Sequence, residues 1–559
     1  MKYSLLMTLL APALLAGCNL EKKEEPFQAR HIRAGYDAGQ VCQQLRQGWQ
    51  EDGIAIPASQ VSCHYLTVPL DYDKEWVQIK ETKWEKRSAA RAGSSLFADN
   101  SPRFSSWSNQ PVRPHVKQET RTVKGDTLDI FYLHYRASGD YRGTLFYNPG
   151  GPTSATPDLG LLLDMLRSAN PAILEHYDIV TLDPRGAGYS ALGHELRSCL
   201  LTDKQGVRPD MTPAQLAQLF ASRDKGALPT LESGADQGKA FGTTLRERCD
   251  EPLRLHASHL GSRAVVEDME RLRQHLGRER ITPITFSYGT RLAALYAARY
   301  PSHVANLVVD SPMSPAESRY PAIFRRDGEN ANRILAWRFG DQALQRSMAV
   351  TRQVRDNGRY VDNQGNVLDR ASWVAVLGDA ISGSQRDDQL AFWQQDDAGP
   401  LLARLAGQDD DNPYQELQEM PFFSAIHCTD NSEPYGWQGL DPEDAAFQGA
   451  GALLLAKSFN TCADWPYPRQ PITSYGAGEI KLPDDAKALV LGAEYDPNTP
   501  FAGARQMQAA FGHAARMVQV EQSNQHGQLN SSRCARAALS TLLLGDGASL
   551  PAEQRCLAD

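Results

Sequence analysis

Three side chains in the second half of the chain could together perform acyl transfer: the hydroxyl of Ser287, the carboxylate of Asp496 and the imidazole of His526. A serine attacks a carbonyl only if a base takes its proton and an acid fixes the tautomer of that base. Ser287 ends the apolar run Ile281 to Phe286 and is followed by Tyr288-Gly289-Thr290 and a helix-forming stretch, Arg291 to Arg299, stopped by Pro301. A strand-serine-helix turn lifts the hydroxyl to its tip and tolerates only small neighbours. Gly289 fits that need, whereas Thr285 stands where such turns usually carry glycine. The plain alternative is a serine capping a helix. Asp496 opens the turn Asp496-Pro-Asn-Thr-Pro500 after the apolar run Ala488 to Gly492, with Glu494 as the rival acid. His526 precedes Gly527 in a polar loop, and the competing His513 reads as a helix C-terminal cap. A developing oxyanion needs two fixed N–H donors. The amide of Tyr288 is one candidate. Gly151, in Asn148-Pro-Gly-Gly151-Pro152, is the other, although a tight turn alone also explains paired glycines.

These residues must be held by strands and helices, and the pattern supplies both. From residue 143, short apolar runs (Thr144 to Tyr147, Tyr177 to Leu182, Ile281 to Phe286, Asn306 to Asp310) alternate with amphipathic stretches such as Ala264 to Leu276. Such alternation indicates an α/β fold, a mostly parallel sheet flanked by crossover helices. It lapses over 314–483, where helical pieces and polar connectors suggest a mostly helical cap, and resumes over 484–559 with Ala488 to Gly492 and Arg516 to Val520. The first part of the core is expected over 61–313, with a charged surface excursion at 74–126. His526 is then expected in a loop after the last strand.

At the N-terminus, Lys2 and the apolar run Leu5 to Leu15 lead to Leu15-Ala-Gly-Cys18. This resembles a bacterial lipobox, which implies a leader over 1–17, a lipidated Cys18, and an anchor, tether and extension over 18–60. An exported protein attached to a bacterial membrane is expected, and Asn19 suits sorting to the outer membrane. Removing Cys18 leaves an even set: Cys42, Cys63, Cys199, Cys249, Cys428, Cys462, Cys534 and Cys556. An oxidising compartment makes disulfides the default; connectivity is not derivable, and pairing of sequence neighbours is the simplest expectation. No zinc-like spacing occurs, so no metal or cofactor is implied. The net charge of -9 argues against a nucleic-acid partner. Oligomeric state is not legible.

Taken together, Val68-Pro-Leu-Asp-Tyr72, Asn148-Pro-Gly-Gly-Pro152, Asp183-Pro-Arg-Gly-Ala-Gly-Tyr-Ser190, Ser287-Tyr-Gly-Thr290, Asp496-Pro-Asn-Thr-Pro500 and His526-Gly527 resemble, in order, the tripeptidyl aminopeptidase and proline iminopeptidase branch of the α/β-hydrolases. The resemblance implies an α/β-hydrolase fold and peptidase activity on peptides with a free N-terminus. Thr153, Thr285 and the excursion depart from that family's pattern. A protonated amine needs carboxylates near the acyl site; Asp430 and Glu433, beside Cys428, are the candidates. Two other readings stay open: a carboxylesterase or lipase with the same triad, and a catalytically inactive binding lipoprotein.

Overall fold

The computed structural model describes residues 28–559 except 55, 85–115, 201–230, 317–319, 384–385, 407–412, 432–440, 442, 458–461 and 463–464. Fourteen strands are assigned among the described residues: β1 (His31–Ile32), β2 (Val61–Pro69), β3 (Trp76–Trp84), β4 (Val116–Lys124), β5 (Thr127–Tyr135), β6 (Gly143–Asn148), β7 (Tyr177–Leu182), β8 (Thr282–Phe286), β9 (Leu307–Asp310), β10 (Arg359–Val361), β11 (Val367–Asp369), β12 (Ala488–Ala493), β13 (Ala515–Glu521) and β14 (Glu553–Leu557). Ten form one sheet in the order β1-β5-β7-β6-β8-β9-β12-β13-β14, with β2 paired antiparallel to β5. From β7 to β14 every pairing is parallel.

The sequence explains why both faces are covered. All six residues of β12 (Ala-Leu-Val-Leu-Gly-Ala) are buried, as a central parallel strand requires. Alternate residues feed two cores: Phe146 and Val490 face one cluster with the helices Ser262–His275 and Gly289–Arg299, while Leu145, Tyr147, Leu489 and Leu491 face the other with Leu159–Ala169 and Arg533–Leu544. Ala293, Ala294 and Ala297 are buried against the sheet, so their small side chains let the Gly289 helix approach closely.

Among the described residues between β9 and β12, those from Tyr320 to Lys457 are mostly helical, with the short β10-β11 pair, and 465–487 form no helix or strand. This region has its own core around Trp373, Phe392 and Trp393. Its helix Pro413–Asp430 instead packs into the sheet's core through Phe422, Ala425 and Ile426. Within the excursion, β3 and β4 pair antiparallel from Trp76↔Lys124 to Trp84↔Val116 and belong to a separate compact unit containing 74–125. Alternating Val77 and Ile79 supply the strand signal that the surrounding charge obscured. All four cysteine pairs are bridged in sequence order: Cys42–Cys63, Cys199–Cys249, Cys428–Cys462 and Cys534–Cys556.

β14 corrects one expectation. The loop carrying His526 follows β13, which is the penultimate strand rather than the last.

Candidate active site

Ser287 sits between β8 and the Gly289 helix with φ of 50°, a left-handed conformation unusual for a residue with a side chain. Its amide donates to the carbonyl of Asp310 (3.1 Å), and its own carbonyl accepts from the hydroxyl of Thr290 (2.6 Å). Thr285 does not crowd this turn. Its hydroxyl donates to Val308 on the neighbouring strand (3.1 Å), which satisfies it inside the sheet.

Asp496 lies at the end of the β12 segment and is buried. Its carboxylate oxygens each lie 3.0 Å from Nδ1 of His526, accept from the amides of Asn498 and Thr499 (both 2.9 Å), and accept from the hydroxyl of Thr499 (3.0 Å). A carboxylate beside Nδ1 places the proton there and leaves Nε2 as the basic nitrogen. The rival Glu494 instead accepts from the amide of Gln522 (3.1 Å). His513, the other imidazole considered, lies in the short turn Gly512–Ala514 ahead of β13.

Burial alone would push His526 down, but the hydrogen bond and charge of Asp496, with the charge of Asp310, raise it above its ordinary value. Asp310 was missed as a site residue because it reads simply as the last residue of a strand. Its carboxylate is buried and accepts from the amides of Gln528 (2.7 Å) and Leu529 (2.8 Å), while Ser311 Oγ accepts from Gly527 (2.8 Å). Burial pushes Asp310 up to about 6 against those amides and His526.

The glycine loop after β6 reaches the same turn. A side chain on Gly150 would lie 2.6 Å from the carbonyl oxygen of Phe286 and 2.9 Å from Cβ of Ser287. The amide of Gly150 donates to Asn148 Oδ1 (3.0 Å), so it is committed within the turn. Gly151 is exposed, at φ of 96°, and its amide donates to no described protein group. The loop is anchored by Asp183, which accepts from Ser154 Oγ (2.8 Å) and from the amides of Ala155 (2.9 Å), Thr156 (3.1 Å) and Tyr189 (2.9 Å).

Asp430 departs from the expected role of meeting a substrate amine. It is buried, and accepts from the amide of Ser262 (2.8 Å) and from its hydroxyl (2.5 Å). Ser262 Oγ also lies 2.5 Å from the hydroxyl of Tyr288. Since the single Ser262 proton goes to the carboxylate, Tyr288 donates to Ser262. Asp430 therefore ties the helix Pro413–Asp430 to the residue after Ser287. Burial raises it to about 6, opposed by Ser262 and the charge of Arg291. Glu433 and Cys18 lie outside the described residues. An acid the sequence did not single out, Glu419, is exposed on the same helix, with Oε1 accepting from the hydroxyl of Thr153 beside Gly151 (3.5 Å).

A parallel sheet carrying a serine on a sharp strand-to-helix turn, with an acid-imidazole pair two and three strands along, is the arrangement of an α/β-hydrolase. Residues 143–531 match the α/β-hydrolase fold family, and the chain belongs to it. It is similar to the tripeptidyl aminopeptidase of Streptomyces coelicolor, 23% identical over 443 residues (73% of this chain, 75% of that protein). It is also similar to carboxylesterase B of Mycobacterium tuberculosis, 25% identical over 472 residues (77% and 83%). Serine protease Hip1 of the same organism is 26% identical over 413 residues (67% and 74%). Among solved structures, proline iminopeptidase of Mycobacterium smegmatis aligns over 75% of this chain and 95% of its own, at 12% identity and a TM-score of 0.36.

Proposed function

We propose that this hydrolase is an exported serine aminopeptidase that releases short peptides or single residues from free N-termini. The observation that carries the reading is the His526–Asp496 pair at 3.0 Å, set on the strands that follow the positive-φ turn of Ser287. In this reading His526 Nε2 takes the Ser287 proton as Oγ attacks the substrate carbonyl. Asp496 stabilises the imidazolium, and the amides of Tyr288 and Gly151 receive the oxyanion. The imidazolium then protonates the departing amine, and water, activated by the same base, releases the acyl group from Ser287.

With Asp430 committed to Ser262, Glu419 is the described carboxylate placed over the glycine loop, and we assign it the substrate amine. Glu419→Gln should then raise KM for free-amine peptides and leave N-blocked esters unchanged. The carboxylesterase reading is kept by the esterase named among the relatives. A panel of N-free and N-blocked arylamides and acyl esters decides between the two, with fluorophosphonate labelling of wild type and Ser287→Ala. Turnover of acyl esters with none of any N-free arylamide would establish the esterase, and absence of Ser287-dependent label would establish an inactive scaffold. Membrane attachment through a lipid on Cys18 is part of the proposal. Cys18→Ser should move the protein from the membrane fraction to the soluble one.

A further inference from the structure

Residues 74–125 carry eleven lysines and arginines against five aspartates and glutamates, a surplus of six positive charges. The whole chain has a net charge of -9, so the rest of it carries -15. The same stretch holds three of the nine tryptophans: Trp76, Trp84 and Trp107. A loop that only has to be solvated needs charge but not tryptophan.

The ribbon of β3 and β4 displays part of this composition. Trp76, Gln78, Thr120, Thr122 and Lys124 are exposed, while Val77 and its cross-strand partner Val123 are half-buried. Pleating and register put the exposed set on one face. Among the described side chains of that face there is no carboxylate. Trp76 is 59% exposed and pairs across the ribbon with Lys124, whose Nζ lies 5.8 Å from the centre of its ring. An exposed indole beside an ammonium suits a boundary where an apolar layer meets anionic headgroups. The ring enters the interface and the amine stays among the headgroups.

We propose that the β3-β4 ribbon is a docking surface for an anionic lipid bilayer, held by its lysines and by Trp76. A basic patch on its own binds reversibly and is screened by salt, so it does not replace the acyl anchor proposed at Cys18. The test uses full-length Cys18→Ser protein, which carries no acyl chain, and sedimentation with vesicles. It compares vesicles containing phosphatidylglycerol with vesicles of phosphatidylcholine alone. The apolar run Leu5 to Leu15 meets both kinds alike, so the difference between them reports charge. At low salt the protein should bind the anionic vesicles about tenfold or more tighter. Salt at about 0.5 M should abolish that preference. Lys80→Gln, Lys83→Gln, Lys117→Gln and Lys124→Gln together should abolish it at low salt. Trp76→Ser, which keeps the charge, should weaken binding to the anionic vesicles by about threefold or more. Equal binding to the two kinds of vesicle, a preference that survives high salt, or unchanged binding in either folded variant would each overturn the proposal. Binding to dextran sulfate without binding to anionic vesicles would overturn it in favour of a polyanionic partner. The lipid and salt arms use the unaltered ribbon, so they decide even where the lysine variant does not fold. None of these readouts depends on turnover at Ser287, so the result stands apart from the peptidase assignment.

Discussion

The main-chain carbonyl of Asp310 holds the amide of Ser287, while the carboxylate of the same residue holds the loop that carries His526. One residue at the end of β9 thus sets the Ser287 turn and the His526 loop relative to one another. Asp310→Asn keeps the carbonyl but replaces one acceptor oxygen with a donor that cannot serve the amide of Gln528 or Leu529. Leaving a buried amide unpaired should cost about 1–3 kcal/mol of stability. Displacing the imidazole loop should lower kcat on the order of tenfold to a hundredfold with little change in KM. Urea unfolding and steady-state kinetics check both parts.

The pH profile follows from the environment of His526. Because its pKa is raised, the imidazole keeps its proton to higher pH, and the neutral base is populated only above that point. The value of kcat/KM should therefore climb with pH, with a midpoint above 6.5. Asp496→Asn removes the two larger raising influences and leaves only the charge of Asp310 against burial, so the midpoint should fall while kcat drops by on the order of 10⁴. A midpoint unmoved by Asp496→Asn would show that another group titrates.

Ser262→Ala breaks the relay from Tyr288 to Asp430 and strips the carboxylate of its hydroxyl donor. The folded pKa of Asp430, already pushed up to about 6, should rise further. A raised pKa gives stability that is present below the unfolded value near 4 and is lost as pH rises through the folded one. The variant should accordingly be destabilised more at pH 8 than at pH 5, by about 1–3 kcal/mol at the higher pH. Paired urea titrations at the two pH values test the sign.

The Cys428–Cys462 bridge closes a separation of 34 residues beside Asp430. On loop entropy alone its removal should cost about 4 kcal/mol. The Cys428→Ser, Cys462→Ser double variant should unfold at lower urea concentration, and the loss should leave Ser287 labelling intact wherever the protein remains folded.

Much of the site was legible because its chemistry is local in sequence. Ser287, Asp496 and His526 each stand just past an apolar run, in a turn rich in small or polar residues. What stayed hidden depends on tertiary partners. Asp310 and Asp183 bond to amides far along the chain or across loops, and nothing in their own neighbourhoods marks this. Arg185 pairs with Asp268 (2.5 Å) and donates to the carbonyls of Pro69 (3.2 Å) and Leu70 (2.8 Å). Two of the motifs that carry the family resemblance are thus scaffold for each other rather than chemistry. β14 escaped notice because Glu-Gln-Arg-Cys-Leu is polar, as befits an edge strand. Asp430 is buried at a helix end and bonded to Ser262, which an acid beside a cysteine in a loop-like sequence does not signal.

Asn330, in the first helix after β9 (Tyr320–Phe339), donates to the carbonyl of Asp496 (2.8 Å), and Trp337 on that helix stacks on Tyr495 at 4.2 Å. The inserted region is therefore not an interchangeable accessory. Its first helix braces the residue proposed as the acid, so in that reading a change there would be felt in turnover. Exchange of lids between related hydrolases would preserve the chemistry only where the crossover point falls beyond residue 339.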